Sequence, residues 1–432
     1  MAKNRFFSNY SSDVKHNFLF NWADGALFVF AMTLVSRVTV LPVFVRRLGG
    51  SNLLVGLIQV IWILGFNVPQ VLMAGYTRTL PYKKPIVLKT SLLQRLPWLL
   101  LALFSLLIVD RIPDSLALFF FFICFALSAV GGSLNMPGWF DLFAKVTPVR
   151  IRGRLLAARV FLGSLLGVAA GGIVKYVLSN FSYPNNFTLL FFSAFGIMLI
   201  SYIFLVLIKE NEPNPSVRKK RWGNILEQLS DIIKNEPNFR NFLIADALLT
   251  TALMSNGFYS LQALKRLQLP DDYVGYFTVV FMVSMIIWNL IIGWTGDKWG
   301  HRLNLLAAAG AVFFASILAL FAKSLWLFMP VFLAIALTQS VIHVSRLAII
   351  AELSKEKDRS TYVSLTNLVT SPFILFGLLG GWLADKLGYE AVFIISAGAS
   401  MAAAIVWIFF VKEPRAENRI NYDIDYKEQV ND

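Results

Sequence analysis

The sequence predicts an all-α membrane protein, with twelve transmembrane helices in two six-helix, pseudo-symmetric bundles. Three observations carry that expectation. The 432 residues are 57% hydrophobic and only 15% charged, where a soluble domain carries about 25% charge. Mean hydropathy is +0.65, and apolar runs recur along the whole chain, each near the ~20 residues that take a helix across ~30 Å of hydrocarbon. The two halves also resemble each other in sequence, as a duplicated helical unit would.

In chain order the spans are read at 18–45, 53–76, 86–109, 115–143, 155–178, 187–208, 240–263, 273–295, 303–322, 325–351, 361–384 and 389–411. Turn signals separate them: "GGSN", "LPYKKP", "DRIPD", "SNFSYPNN", "LPDD" and "KEKDRS". The first run, Phe18 to about Val45, is too long for a signal-peptide core, and no small-residue cleavage site follows it. It is expected to be a retained span. Counting Lys and Arg with the loops they flank, an N-in arrangement puts 27 on the inner side and eight outside, with Arg37, Arg95, Arg159 and Arg346 within spans. That asymmetry predicts cytoplasmic termini, and the expected location is the plasma membrane, the inner membrane in a bacterium.

The longest connection, 209–239, divides the chain into an N-terminal bundle (1–208) and a C-terminal bundle (240–412), with a polar tail at 413–432. It carries "RKKR" at 218–221 and then Trp222, Ile225, Leu226, Leu229, Ile232 and Ile233 at helical spacing. This predicts an amphipathic helix along the inner membrane face. "RKKR" either binds anionic lipid or sets topology as a solvated linker.

Composition also excludes functions. A net charge of +14 and a pI near 9.8 would suggest nucleic acid in a soluble protein. Here the basic residues cluster at span ends, so the lipid bilayer is the expected partner and nucleic acid is not. Cys124 is the single cysteine and lies in an apolar run, so no intrachain disulfide is expected. The three histidines lack metal-ligand spacing. No nucleophile elbow, phosphate-cradling loop or zinc pattern is present, so the expectation is no enzyme, no cofactor and no metal.

The duplication is explicit. "VRRLGGSNLLVG" (45–56) aligns without a gap to "LKRLQLPDDYVG" (264–275), setting Arg47 on Arg266, Leu48 on Leu267, Val55 on Val274 and Gly56 on Gly275. "ADG" at 23–25 matches "ADA" at 245–247 after a three-residue shift. "GYTRTLPYKK" (75–84) occupies the place of "GWTGDKWGHR" (293–302). Many transporters are built from such repeats.

The twelve spans, the long central connection and Gly293-x-x-x-Asp297-Lys298-x-Gly300-His301-Arg302 resemble the major facilitator superfamily. That family carries G-x-x-x-D-[RK]-x-G-[RK]-[RK] after its second and eighth helices. The resemblance implies that this cluster latches the two halves in an outward-facing state. Physically, Gly293 and Gly300 permit close approach and a tight turn, and Asp297 can accept from the start of a neighbouring helix. His301 departs from the pattern. In the first copy Thr79 stands where the acid should be and Tyr82 replaces the second glycine. Gly163-x-x-x-Gly167-Val168-x-x-Gly171-Gly172 resembles the antiporter motif of the family's drug exporters, with Val168 in place of proline. The competing reading is that small residues let helices pack closely. The arginine-bearing exporter motif of span four is absent from "ALSAVGGSLNMPGW".

A charge in hydrocarbon costs at least ~2.5–3.5 kcal/mol and so faces a cavity or a partner. The resemblance implies that spans one, four, seven and ten line a central cavity. Span ten offers Gln339, His343 and Arg346, spaced four and three apart on one face. Span seven offers Asp246, Thr250 and Asn256, span four offers Ser128, Asn135 and Trp139, and span one offers Asp24 and Arg37. The last two lie thirteen apart, roughly 220° around a helix, so both cannot face the cavity squarely. Arg346 either holds an anionic group or pairs with an acid such as Asp246. Asp24 and Asp246 occupy repeat-equivalent positions and either bind protons or pair with arginines. Arg159, one turn inside a cytoplasmic end, is expected to snorkel. Trp62, Trp288 and Asn289 add lining or packing. The expected function is secondary active transport of a small-molecule substrate by alternating access, coupled to a proton or sodium gradient. Four intramembrane arginines against two aspartates lean towards an anionic or amphiphilic substrate. A drug/proton antiporter is the alternative, and a non-transporting receptor or scaffold on the same fold is the alternative of another class. A monomer is expected.

Overall fold

A computed structural model describes residues 10–77, 79–213, 232–354 and 359–414. In chain order its helices are α1 (Ser12–Leu34), α2 (Val40–Arg47), α3 (Asn52–Thr77), α4 (Lys84–Leu107), α5 (Asp114–Val146), α6 (Val149–Asn180), α7 (Asn185–Leu207), α8 (Pro237–Ala252), α9 (Tyr259–Leu267), α10 (Tyr273–Trp299), α11 (His301–Phe321), α12 (Leu325–Leu353), α13 (Arg359–Ile374), α14 (Phe376–Leu387) and α15 (Tyr389–Phe409). No strand occurs among the described residues. Eleven helical stretches are long and apolar enough to cross a membrane, and the 26-residue α3 occupies the remaining predicted span. The fold is an all-α, twelve-span membrane architecture. The predicted amphipathic helix falls mostly on 214–231, and most of the predicted tail on 415–432, outside the described residues.

Span one is not one helix. It breaks at 35–39, between α1 and α2. Pro42, in the first turn of α2, has no N–H to bond the Val38 carbonyl, and within the break Ser36 Oγ accepts from the backbone N–H of Val38 and Thr39. A serine hydroxyl bonding nearby backbone competes with the helical ladder. Span seven breaks at the corresponding place, between α8 and α9, through a 3-10 turn at Leu253–Ser255. With the repeat alignment of 45–56 on 264–275, Arg37 in the first break corresponds to Asn256 in the second.

Two compact units emerge, and they do not follow chain order strictly. The first comprises 1–51, 58–221 and 270–283, the second 52–57, 222–269 and 284–432. Glycines explain the exchanged pieces. In the second unit, a Cβ at Gly56 would lie 2.0 Å from the Gly377 carbonyl oxygen, and one at Gly381 would lie 2.5 Å from the Asn52 carbonyl oxygen. The start of α3 thus packs backbone against backbone on α14. In the first unit, a Cβ at Gly275 would meet the Lys175 backbone nitrogen at 2.4 Å, so the start of α10 packs in the same way on α6. Gly56 and Gly275 are the residues that the repeat aligns.

The second unit's core joins Phe239, Phe242, Leu305, Ala308, Ile349, Ile350 and Trp407. Ends are tied by repeated devices. Asn17 exchanges two hydrogen bonds with the Lys209 backbone, and Asn238 does the same with Lys412.

Candidate functional site

In the first unit, α1, α4, α6 and α7 bring a charged cluster together. Asp24 accepts from Ser201 Oγ at 2.7 Å. It lies 3.5 Å from an Arg95 guanidinium nitrogen and 3.4 Å from one of Arg159. Asp24 and Arg95 are buried, at 5% and 4% side-chain exposure, and Arg159 is mostly buried at 12%. Arg95 also donates to the carbonyls of Ser91 and Met198. Arg159 bonds Asn21 through backbone and side chain and lies over the Trp139 ring at 4.8 Å. Arg159 therefore turns into the bundle instead of snorkelling. Gly25 makes room for it: a Cβ there would overlap the guanidinium.

In the second unit, Arg346 forms an ion pair with Asp246 at 2.8 Å. Its Nε donates to both carboxylate oxygens, and its remaining nitrogens donate to Asn367 and Thr370. The expected stripe on span ten separates in environment. Gln339 is buried at 9% exposure, His343 is exposed, and Arg346 turns to Asp246. Asn256 is buried at the break of span seven. In the first unit, Asn135 accepts from Thr90 Oγ1 at 3.2 Å. Arg37 is apart from Asp24; it lies over the Trp62 ring at 4.9 Å. The partners Ser201, Asn21, Asn367 and Thr370 were not legible in the sequence. They sit on spans six, one and eleven, and hydroxyl and amide groups in apolar helices are common without being functional.

The 293–302 segment ends α10 and starts α11. Gly300 has φ +88°, a conformation that favours glycine, and a Cβ there would strike the Glu413 carboxylate. That carboxylate accepts from the Arg302 backbone N–H, next to the positive end of α11. The Arg302 side chain donates to the carbonyls of Trp407 and Ile408, at the C-terminal end of α15. His301 is buried, its Nδ1 3.1 Å from Ser345 Oγ. A Cβ at Gly293 would meet nothing within 4 Å, so the close approach expected there is made by Gly296, where a Cβ would lie 2.6 Å from the His301 ring. Asp297 and Lys298 are exposed, with the Lys298 ammonium over the rings of Trp294 and Trp299.

The first copy has the same construction, with Glu210 in the place that Glu413 takes in the second. Glu210, just past span six, accepts from the backbone N–H of Lys83 and Lys84 and from Lys145 Nζ at 2.8 Å. "IKE" at 208–210 and "VKE" at 411–413 are thus a repeat whose glutamates each bond the start of the third helix of their half. Burial holds the Lys83 ammonium below its ordinary pKa.

On α6, Cβ atoms at Gly163, Gly167 and Gly171 would strike Val29, Met282 and Val279 respectively, and one at Gly172 would meet nothing. α6 runs unbroken from Val149 to Asn180; Val168, unlike a proline, keeps the N–H that the helix ladder uses.

Comparison with known proteins agrees with this architecture. A 137-residue segment, 32% of this chain, is 26% identical to the multidrug resistance protein MdtG of Serratia proteamaculans (strain 568), of which it covers 33%. The matched segment thus spans about a third of that relative's length. Among solved structures, the D-xylose-proton symporter superposes with TM-score 0.67 at 17% identity, covering 93% of this chain and 99% of that one. The nucleoside transporter NupG superposes with TM-score 0.64 at 13% identity, covering 92% and 98%. The family description Major Facilitator Superfamily matches residues 23–270 and 248–424. These matches run across the spans, the duplicated aspartates and the 293–302 turn, and the chain is an integral membrane protein that belongs to the Major Facilitator Superfamily of transporters.

Proposed function

We propose that this chain is a secondary active transporter that moves a small organic solute by alternating access, driven by a proton or sodium gradient. In this reading it is a monomer in the plasma membrane with cytoplasmic termini, and it is no enzyme. One observation carries the coupling: repeat-equivalent Asp24 and Asp246 are each buried and each held by arginine. A carboxylate held this way changes partners when it takes a proton. Neutral Asp246 would release Arg346 to Asn367, Thr370 and solute, and its return to the anion would draw the guanidinium back. Asn135, Trp139, Asn256, Gln339 and His343 are proposed to contact solute. Asp297, Lys298 and Arg302 are proposed to bias the outward-facing state, with Gly300 shaping the turn and Gly296 making the close approach.

Export of drug-like molecules is the second reading, favoured by the MdtG segment and by the Gly163–Gly172 pattern. The test is flux in proteoliposomes with an imposed pH or sodium gradient, screening metabolites and drugs. Asp246→Asn should abolish gradient-driven flux and leave solute exchange at equal pH. Equal loss of both, in a protein that still binds solute, would defeat the coupling assignment.

A further inference from the structure

We infer that Arg37, in the break of span one, is an anion-binding residue for an organic acid: a carboxylate carried on an apolar body. The inference rests on the transport-site reading and names the substrate class for it. The four arginines within spans differ in one respect. Arg95 and Arg159 share Asp24, and Arg346 has Asp246. The Arg37 guanidinium has no carboxylate and no hydrogen-bond acceptor among the described residues; it lies over the face of Trp62, at 4.9 Å. Its chain neighbours Thr33, Ser36 and Thr39 and the contacting Gln59 are neutral. Thr39 is bonded to Thr278, and the Gln59 amide donates to the Arg37 backbone carbonyl, not to an anion.

Stacking on an indole satisfies the face of a guanidinium and leaves its N–H edge free. Five donors in a fixed fork match a carboxylate bidentately. A lone charge at this depth is costly unless water or a counter-ion reaches it, and Arg37 retains partial exposure. The row that continues from Trp62, with Phe66 and Phe125 each 6.0 Å away, supplies an apolar wall beside the charge. The helix break is what puts the residue there, since unwound segments in corresponding spans of duplicated halves are where transporters bind solute.

The test uses the full chain in nanodiscs, phenylglyoxal as an arginine label, and peptide mass spectrometry as readout. Benzoate is the probe, with benzamide as its uncharged isostere and inorganic phosphate as the anion without an apolar body. Arg37 should react fastest of the four. At benzoate about ten times its dissociation constant, its labelling should slow about tenfold, and benzamide and phosphate should leave it unchanged. Arg37→Gln should abolish thermal stabilisation by benzoate, and Arg37→Lys should keep part of it. Labelling of Arg37 no faster than of Arg95 overturns the proposal, as does protection by benzamide or by phosphate alone. Labelling needs no variant, so a folding defect in Arg37→Gln does not decide the result. Protection by benzoate without any flux would leave the anion site standing and defeat the transporter reading; flux without protection would do the reverse.

Discussion

At the residue scale, Arg346 has two candidate roles, tie and site, and its geometry makes them separable. Removing one partner of a buried pair costs about 3–5 kcal/mol, because the other charge stays behind. Arg346→Gln should therefore lower thermal stability by that order, and adding Asp246→Asn should restore most of it, read as Tm in detergent. A loss within about 1 kcal/mol, with flux abolished, would instead mark a group lining a wet cavity. Asp24→Asn should be the more damaging change, since one carboxylate holds two guanidinium groups there. Asp24→Asn with Arg159→Gln should recover only part, because Arg95 remains. Full recovery would show that Arg95 is satisfied by Met198, Ser91 and Ser201 alone.

At the element scale, the decisive contacts are between backbones. Gly56→Ala and Gly275→Ala should each force α3 off α14 or α10 off α6, since the nearest backbone atoms lie 2.0 and 2.4 Å from the added carbon. Overpacking of this kind costs about 1–3 kcal/mol. Gly172→Ala and Gly293→Ala meet open space and should be neutral or stabilising by up to ~1 kcal/mol, from helix propensity. Thermal unfolding of the four variants side by side checks both halves of this contrast. A Gly172→Ala variant as damaged as Gly275→Ala would show that the glycine pattern serves more than packing. Glu413→Gln and Glu210→Gln should each weaken a helix start by about 1 kcal/mol. Gly300→Ala should cost more than Glu413→Gln, because it meets both an adverse φ and the Glu413 carboxylate.

At the scale of the whole molecule, the 293–302 turn ties the start of α11, the end of α15 and the side of α12 within the second unit. Arg302 holds the end of α15, Glu413 bonds the start of α11, and His301 reaches Ser345 on α12. Asp297 and Lys298 stay exposed at its tip. Arg302→Ala should therefore destabilise the fold, whereas Asp297→Asn should leave Tm unchanged and slow transport. Labelling of cysteines placed at the two ends of spans one and seven would report the change in accessibility. Unchanged labelling with unchanged flux would leave the segment a topology signal.

The sequence by itself determined class, span number and duplication. Those rest on average properties: hydropathy over ~20 residues and residue-by-residue identity between copies. It also picked out Asp24, Asp246, Arg346 and Arg37, because a charge in an apolar run needs a reason wherever it points. Partnership was decided by tertiary structure. That Arg346 turns to Asp246, that Arg159 turns inward past Gly25 to Asp24, and that Glu210 bonds the helix start at Lys83 all depend on which helices lie side by side, and residues 100, 135 and 127 positions apart carry no local signal of meeting. Pro42 signalled an interruption of span one, but the part played by Ser36 was hidden. A serine within a helix and a serine that ends one look the same until the hydroxyl has chosen between solvent, its own turn and the N–H groups of Val38 and Thr39.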